Sequence, residues 1–217
     1  MYFFTIFDDA GVVIVSWISG TGSFLDSAHR IAGSETLFRI GILFGLIGTM
    51  STVLLAAALY VTLKQVDVNL AMTALLFRLV ESAIGGVVVV FGFVALQIYL
   101  EANHTTAFDS KQLGALADNV SHMSAIGINV SVVFFSVGSA IFFYLFLKSA
   151  YIPRILALWG VLGSLFCMVA FVANLLLPQS SELLLGVGGL PIGLAEPVLG
   201  LWLLIRGINT HSEASPA

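Results

Sequence analysis

Polar residues in this chain are confined to short stretches, and between them lie apolar runs at residues 40–63, 70–100, 122–147, 153–177 and 183–206. Each run holds about 24–31 residues, more than the roughly 20 that cross a bilayer's hydrocarbon core at 1.5 Å of helical rise. None shows the ~10-residue alternating segments of a membrane β-barrel. The pattern predicts spanning helices. The run at 70–100 is too long to stand upright and should tilt or emerge beyond the membrane. A further run, residues 2–19, is apolar except for Asp8 and Asp9 and would reach about 27 Å as a helix. No Lys or Arg precedes it, so it lacks the basic start of a signal peptide. The expected fold is an all-α polytopic transmembrane helix bundle of six spans, with five as the alternative if residues 2–19 do not cross.

Composition agrees. Hydrophobic residues make up 59% of the 217 and charged residues 9%, with a mean hydropathy of +1.07. A soluble domain carries about 25% charged residues, so the chain reads as a single transmembrane helical domain, 1–209, followed by a polar tail, 210–217, expected to be disordered and cytoplasmic. The net charge of −4 provides no basic patch, which excludes nucleic acid as a partner and leaves membrane lipids. The single cysteine, Cys167, cannot form an intrachain disulfide.

The short loops set an expected orientation. Lys64, Lys148, Arg154 and Arg206 share one side, against Arg30, Arg39 and Lys111 on the other, so the positive-inside rule puts the C-terminus in the cytoplasm. On the outer side, residues 23–39 contain a partly amphipathic stretch with Leu25, His29 and Ile31. Residues 108–121 read FDSKQLGALADNVS, with Asp109 as an N-cap, Gln112 at the capping-box position, and Leu113, Leu116 and Val120 on one face. This predicts a short interfacial helix lying on the membrane before the chain enters it at His122.

Three charges lie inside the apolar runs: Arg78, Glu81 and Glu196. A lone charge at a helix centre costs about 2.5–3.5 kcal/mol on insertion scales, so such residues face a bundle interior or a wet cavity. Arg78 and Glu81 are three apart and share a helix face. Counted along their helices, all three lie roughly 12–17 Å below the same surface. Glu196 should therefore pair with Arg78 beside Glu81, and two carboxylates around one arginine leave a net negative charge. The structural alternative is an ion pair that only joins helices. Around Glu196, GVGGLPIGLAEP carries Pro191 and Pro197, each of which frees a backbone carbonyl one turn earlier. That is the pattern of a broken helix at a transporter site or of an ordinary kink. Gly41 with Gly45, and Gly189 with Gly193, have the spacing of close helix packing.

His122, Ser124, Asn129, Ser131 and Asn174 form a second polar group near the outer side, either a pocket or ordinary interfacial polarity. No HxxxH, HExxH, CxxC or GxSxG pattern occurs, so a metal site or a serine-hydrolase elbow has no local signature.

Several strings resemble the bacterial domain-of-unknown-function 4386 family. They are FRIGILFGLIGTMSTVLLAAALYVTLKQVDVNLAMTALLFRLVES, FDSKQLGALADNVSHMSAIG, VVFFSVGSAIFFYLFLKSAYIPRILALWGVLGSL and PIGLAEPVLGLWLLIRGIN. The resemblance covers residues 31–209 and places motif positions on Phe38, Arg39, Arg78, Glu81, His122, Tyr151, Pro153, Arg154 and Glu196. It implies a multi-pass protein of a prokaryotic cytoplasmic membrane and brings no activity or cofactor with it. The leading functional expectation is binding or transport of a small molecule, lipid or ion at Arg78, Glu81 and Glu196, with His122 and Asn129 as further candidates. Two rivals stand beside it. One is an accessory subunit with a membrane-protein partner or a second copy of itself; the other is an intramembrane enzyme with its site at the outer mouth.

Overall fold

The computed structural model describes residues 5–104, 109–177 and 181–208, and the side chains of 10–103, 109–177 and 187–208. The tail at 210–217 and the side chains of Asp8 and Asp9 lie outside the described residues. The described chain folds into seven helices and no strand: α1 (Thr5–Ser19), α2 (Phe24–Gly33), α3 (Glu35–Leu63), α4 (Val68–His104), α5 (Ser110–Ser149), α6 (Arg154–Leu176) and α7 (Ser181–Arg206). Five of them, α3 to α7, are long and apolar enough to cross a membrane, which matches the five-span alternative. α1 has 15 residues, roughly 22 Å of helix, and falls short of that length. Outward-facing Leu76, Ile126, Ile155, Val169, Leu176 and Leu190 give the spans the apolar surface of a lipid-embedded protein.

The helices sort into two compact units. Among the described residues the first holds 52–82, 129–177 and 181–208, with α6 and α7 paired side by side. Its core joins Leu55, Leu59 and Leu63 of α3, Ala71 and Ala74 of α4, Phe142, Phe143 and Phe146 of α5, Leu156 and Cys167 of α6, and Ile192, Ala195 and Leu199 of α7. Glycine sets the closest approaches. Gly163 leaves room for the α7 backbone at Pro191 and Ile192, where an added Cβ would sit 3.2 Å away. A Cβ on Gly188 would collide with Ala170, and one on Gly160 with the Phe143 ring. Gly189 and Gly193, expected to mark a packing face, have nothing within 4 Å of an added Cβ. The tight glycine is their neighbour, Gly188.

Among the described residues the second unit holds 5–51, 83–104 and 109–128, with Ile18, Ile31, Phe38, Ile42 and Leu96 at its core. Gly11 and Gly41 meet where α1 crosses α3, and a Cβ on Gly11 would lie 2.5 Å from the Gly41 carbonyl. Gly20 ends α1 with φ +59°, a left-handed conformation natural to glycine. There Arg30 Nη2 donates to the Ser19 carbonyl at 2.6 Å and Nε to Ile18 at 3.3 Å, closing the open end of α1. Ser23 and Asp26 form a reciprocal capping box at the start of α2. The Ser23 hydrogen bonds hold the Asp26 carboxyl below its ordinary value.

The separate interfacial helix predicted at 108–121 is not found. Residues 110–121 form the first turns of α5, which runs unbroken through His122 for 40 residues, roughly 60 Å. Its buried face there is Leu113 and Ala117, whereas Leu116 is exposed. The Gln112 side chain does return to the Asp109 backbone N–H, at 3.3 Å. Capping thus marks where the helix starts, but no helix-breaking residue follows to separate it from the span.

Candidate functional site: a buried arginine between two glutamates

α4 carries small residues, Ala71 and Ala74, on the face that also carries Arg78 and Ser82, so the α4 backbone lies close to its neighbours and the guanidinium stays inside. Arg78 is 3% exposed. Its stem rests against Gly138 of α5, where a Cβ would stand 3.0 Å from Cγ and Cδ. The guanidinium carbon sits 4.6 Å from the centre of the Phe135 ring, a cation–π contact one turn earlier on α5.

Around this cation the structure gathers both glutamates. Arg78 Nη1 lies 3.1 Å from Glu81 Oε2, along the same helix, and 4.0 Å from Glu196 Oε1 of α7. Ser139 of α5 links the pair: its Oγ accepts from Arg78 Nη1 at 3.4 Å and donates to Glu196 Oε1 at 2.9 Å. Ser131 Oγ donates to the Glu81 backbone carbonyl at 3.0 Å, tying α5 to α4 just beyond the cluster. Beside it lies a cavity of about 10 Å³, lined by Arg78, Ser139 and Glu196 and by Leu55, Leu59, Phe142, Phe143, Phe146 and Leu199. That is about the room one water needs.

The two carboxylates are not equivalent. Glu81 faces the guanidinium at close range, while Glu196 stands farther from it, is held by a neutral hydroxyl, and borders the cavity. Glu196 is the less closely paired of the two.

α7 is helical through Pro191 and Pro197, so the broken-helix form of this site is absent. The site is made by side chains alone. Ser139, Gly138 and Phe135, which complete the cluster, escape a search for charges. Their signal is FFSVGSAIFF, where small and hydroxyl residues interrupt an aromatic run.

His122 and Asn129 do not line the cavity. His122 is exposed, with Nδ1 2.8 Å from the carbonyl of Asp118 on its own helix. Asn129 is half-buried on α5. Asn174 is buried on α6, with no hydrogen-bond partner for its amide oxygen among the described residues. Those residues contain no cluster of three or more His, Cys, Asp or Glu with metal-holding geometry.

Spanning helices with an apolar outer surface and a charged centre define a multi-pass integral membrane protein. The chain belongs to the family described as domain of unknown function DUF4386, whose model matches residues 10–207. No curated protein and no solved structure matches it.

Proposed function

We propose that the protein binds a small ion or solute at the Arg78–Glu81–Glu196 cluster and serves in its transport across the membrane. The observation that carries this reading is Glu196. It is a carboxylate at membrane depth, only 4.0 Å from a cation, and it opens onto a cavity instead of being sealed into a bidentate pair. Intramembrane charges that line a cavity mark ion and substrate pathways. An ion pair serving only as glue has no need of the adjoining space.

Thermal unfolding of the purified chain in detergent tests the reading. The panel should hold small anions, zwitterions, organic ammonium ions and alkali cations at matched ionic strength. A solute that occupies the site raises the Tm of the wild type by mass action, and Glu196→Gln removes that rise. If neither a solute on the panel nor pH shifts the Tm of the wild type differently from that of Glu196→Gln, the cluster is structural and this reading fails.

The charge bias of the loops supports a cytoplasmic C-terminus, and the family resemblance supports residence in a prokaryotic cytoplasmic membrane.

A further inference from the structure

We propose that the occupant of this site is a water-sized monovalent cation, a proton or an alkali ion of about sodium's size, held by the Glu196 carboxylate and the Ser139 hydroxyl. The proposal rests on the reading above and narrows it to one class of ligand.

Charge gives the sign. One guanidinium faces two carboxylates, so the cluster is short of one positive charge. An anion or a lipid phosphate would add to that imbalance in a low-dielectric setting, and a second positive charge relieves it. Valence follows from the same count of charge: one added positive charge balances the cluster and two would overshoot it. A divalent ion asks for six or more oxygens in a regular shell. The cavity instead presents one carboxylate and one hydroxyl, with the second carboxylate taken up by Arg78. Size follows from the space. About 10 Å³ admits one water or an ion of that size, and Phe142, Phe143, Phe146, Leu59 and Leu199 leave no room for an organic ammonium.

The donors fit as well. Ser139 Oγ donates its proton to Glu196 and accepts from Arg78, so its remaining lone pair and the free lobes of Glu196 can turn toward a cation. Arg78 then serves as a fixed counter-charge that keeps the two carboxylates together when the site empties. Among the described residues, the groups beside Glu196 are Arg78 of α4, itself paired with Glu81, Ser139 of α5 and Cys167 of α6, and α3 lines the cavity with Leu55 and Leu59.

The test is the unfolding of the full chain in detergent, in lithium, sodium, potassium or choline chloride at one ionic strength and across a pH series. Wild type, Glu196→Gln and Ser139→Ala are compared. If an alkali ion is the occupant, the Tm rises by about 5 °C from choline to the fitting cation near saturation. That rise shrinks as acid is added, because protons compete for the same carboxylate. If the proton alone is the occupant, the alkali ions are equivalent to choline, and wild type gains stability on acidification relative to Glu196→Gln, which has no carboxyl to protonate. In the alkali-ion case, Ser139→Ala keeps every charge, folds, and needs about tenfold more cation for the same rise, the cost of one lost oxygen ligand. That variant also stands in if Glu196→Gln does not fold. Stabilisation by an anion or a zwitterion would overturn the cation class, stabilisation by an organic ammonium would overturn its size, and either would leave the binding reading standing. Cation and pH responses identical in wild type, Glu196→Gln and Ser139→Ala would place the cation elsewhere and overturn this site. No response to any solute or to pH would remove both readings.

Discussion

Arg78 is the residue on which the centre of the protein depends, because it balances two carboxylates that have left water. Arg78→Ala strands both, and removing one partner of a buried pair costs about 3–5 kcal/mol. Glu196→Gln should cost far less, on the order of 1 kcal/mol, since an amide oxygen can still accept from Ser139 and Glu81 still pairs with Arg78. Denaturant or thermal unfolding in detergent reads the order directly; equal losses would mean that Arg78 and Glu196 act as an isolated pair. The three charges were legible in the sequence because a charge inside an apolar run is conspicuous. Ser139 was not, since serine is common in spanning helices and only its position opposite Arg78 gives it a role. Gly138 was hidden for the same reason. A glycine matters through the side chain that lies against it, and that side chain belongs to another helix.

The helices themselves followed closely from the apolar runs, but their ends and joints did not. The stretch 108–121 has a start signal and an amphipathic face, and it continues straight into the span because nothing in ADNVSHMS breaks a helix. Pro191 and Pro197 misled in the opposite direction: each removes one hydrogen bond, yet α7 continues as a helix, packed along α6. The glycine spacing pointed to Gly189 and Gly193, whereas packing uses Gly160, Gly163 and Gly188. Gly160→Ala should therefore destabilise by about 1–3 kcal/mol through collision with the Phe143 ring. Gly193→Ala should be neutral or gain up to about 1 kcal/mol of helix propensity. Paired unfolding curves decide it, and a larger loss at Gly193 would defeat the assignment. At the start of α4, Asp67 caps the helix through the Leu70 N–H at 3.1 Å and meets Lys148 at 3.5 Å. The Leu70 hydrogen bond, aided by Lys148 and opposed by partial burial, holds its carboxyl below the ordinary value. A lowered folded-state value means that the contribution to stability is complete above the usual carboxylate range and disappears as pH falls through the lowered value. Asp67→Asn should lower the Tm at neutral pH and converge with wild type in strong acid; a constant offset across pH would exclude the capping charge.

Across the whole molecule, exposed leucine, isoleucine and valine cover the spans, and composition alone was enough to read that. Orientation rests on a small bias, Lys64, Lys148, Arg154 and Arg206 against Arg30, Arg39 and Lys111. A reporter fused after Asn209 should be active only in its cytoplasmic form, and a tag between Asn103 and Ser110 should be labelled from outside intact cells. Labelling of the tail from outside would reverse the assignment.

The three-residue spacing of Arg78 and Glu81 also bears on biogenesis. A ribosome delivers α4 to the insertion machinery before α5 and α7 exist, so Arg78 enters the bilayer with neither Ser139 nor Glu196 to meet it. Glu81, on the same helix and 3.1 Å away in the finished fold, is the one charged partner already made. It lets α4 cross as a nearly neutral segment, avoiding part of the roughly 2.5–3.5 kcal/mol that a lone arginine costs at mid-membrane. Glu81→Gln should therefore lower the inserted fraction of an isolated α4 segment in a translocation assay, whereas Glu196→Gln in the full chain leaves α4 insertion unchanged. The order of synthesis thus gives the two glutamates different duties: one escorts the arginine into the membrane, and the other arrives later to complete the buried cluster.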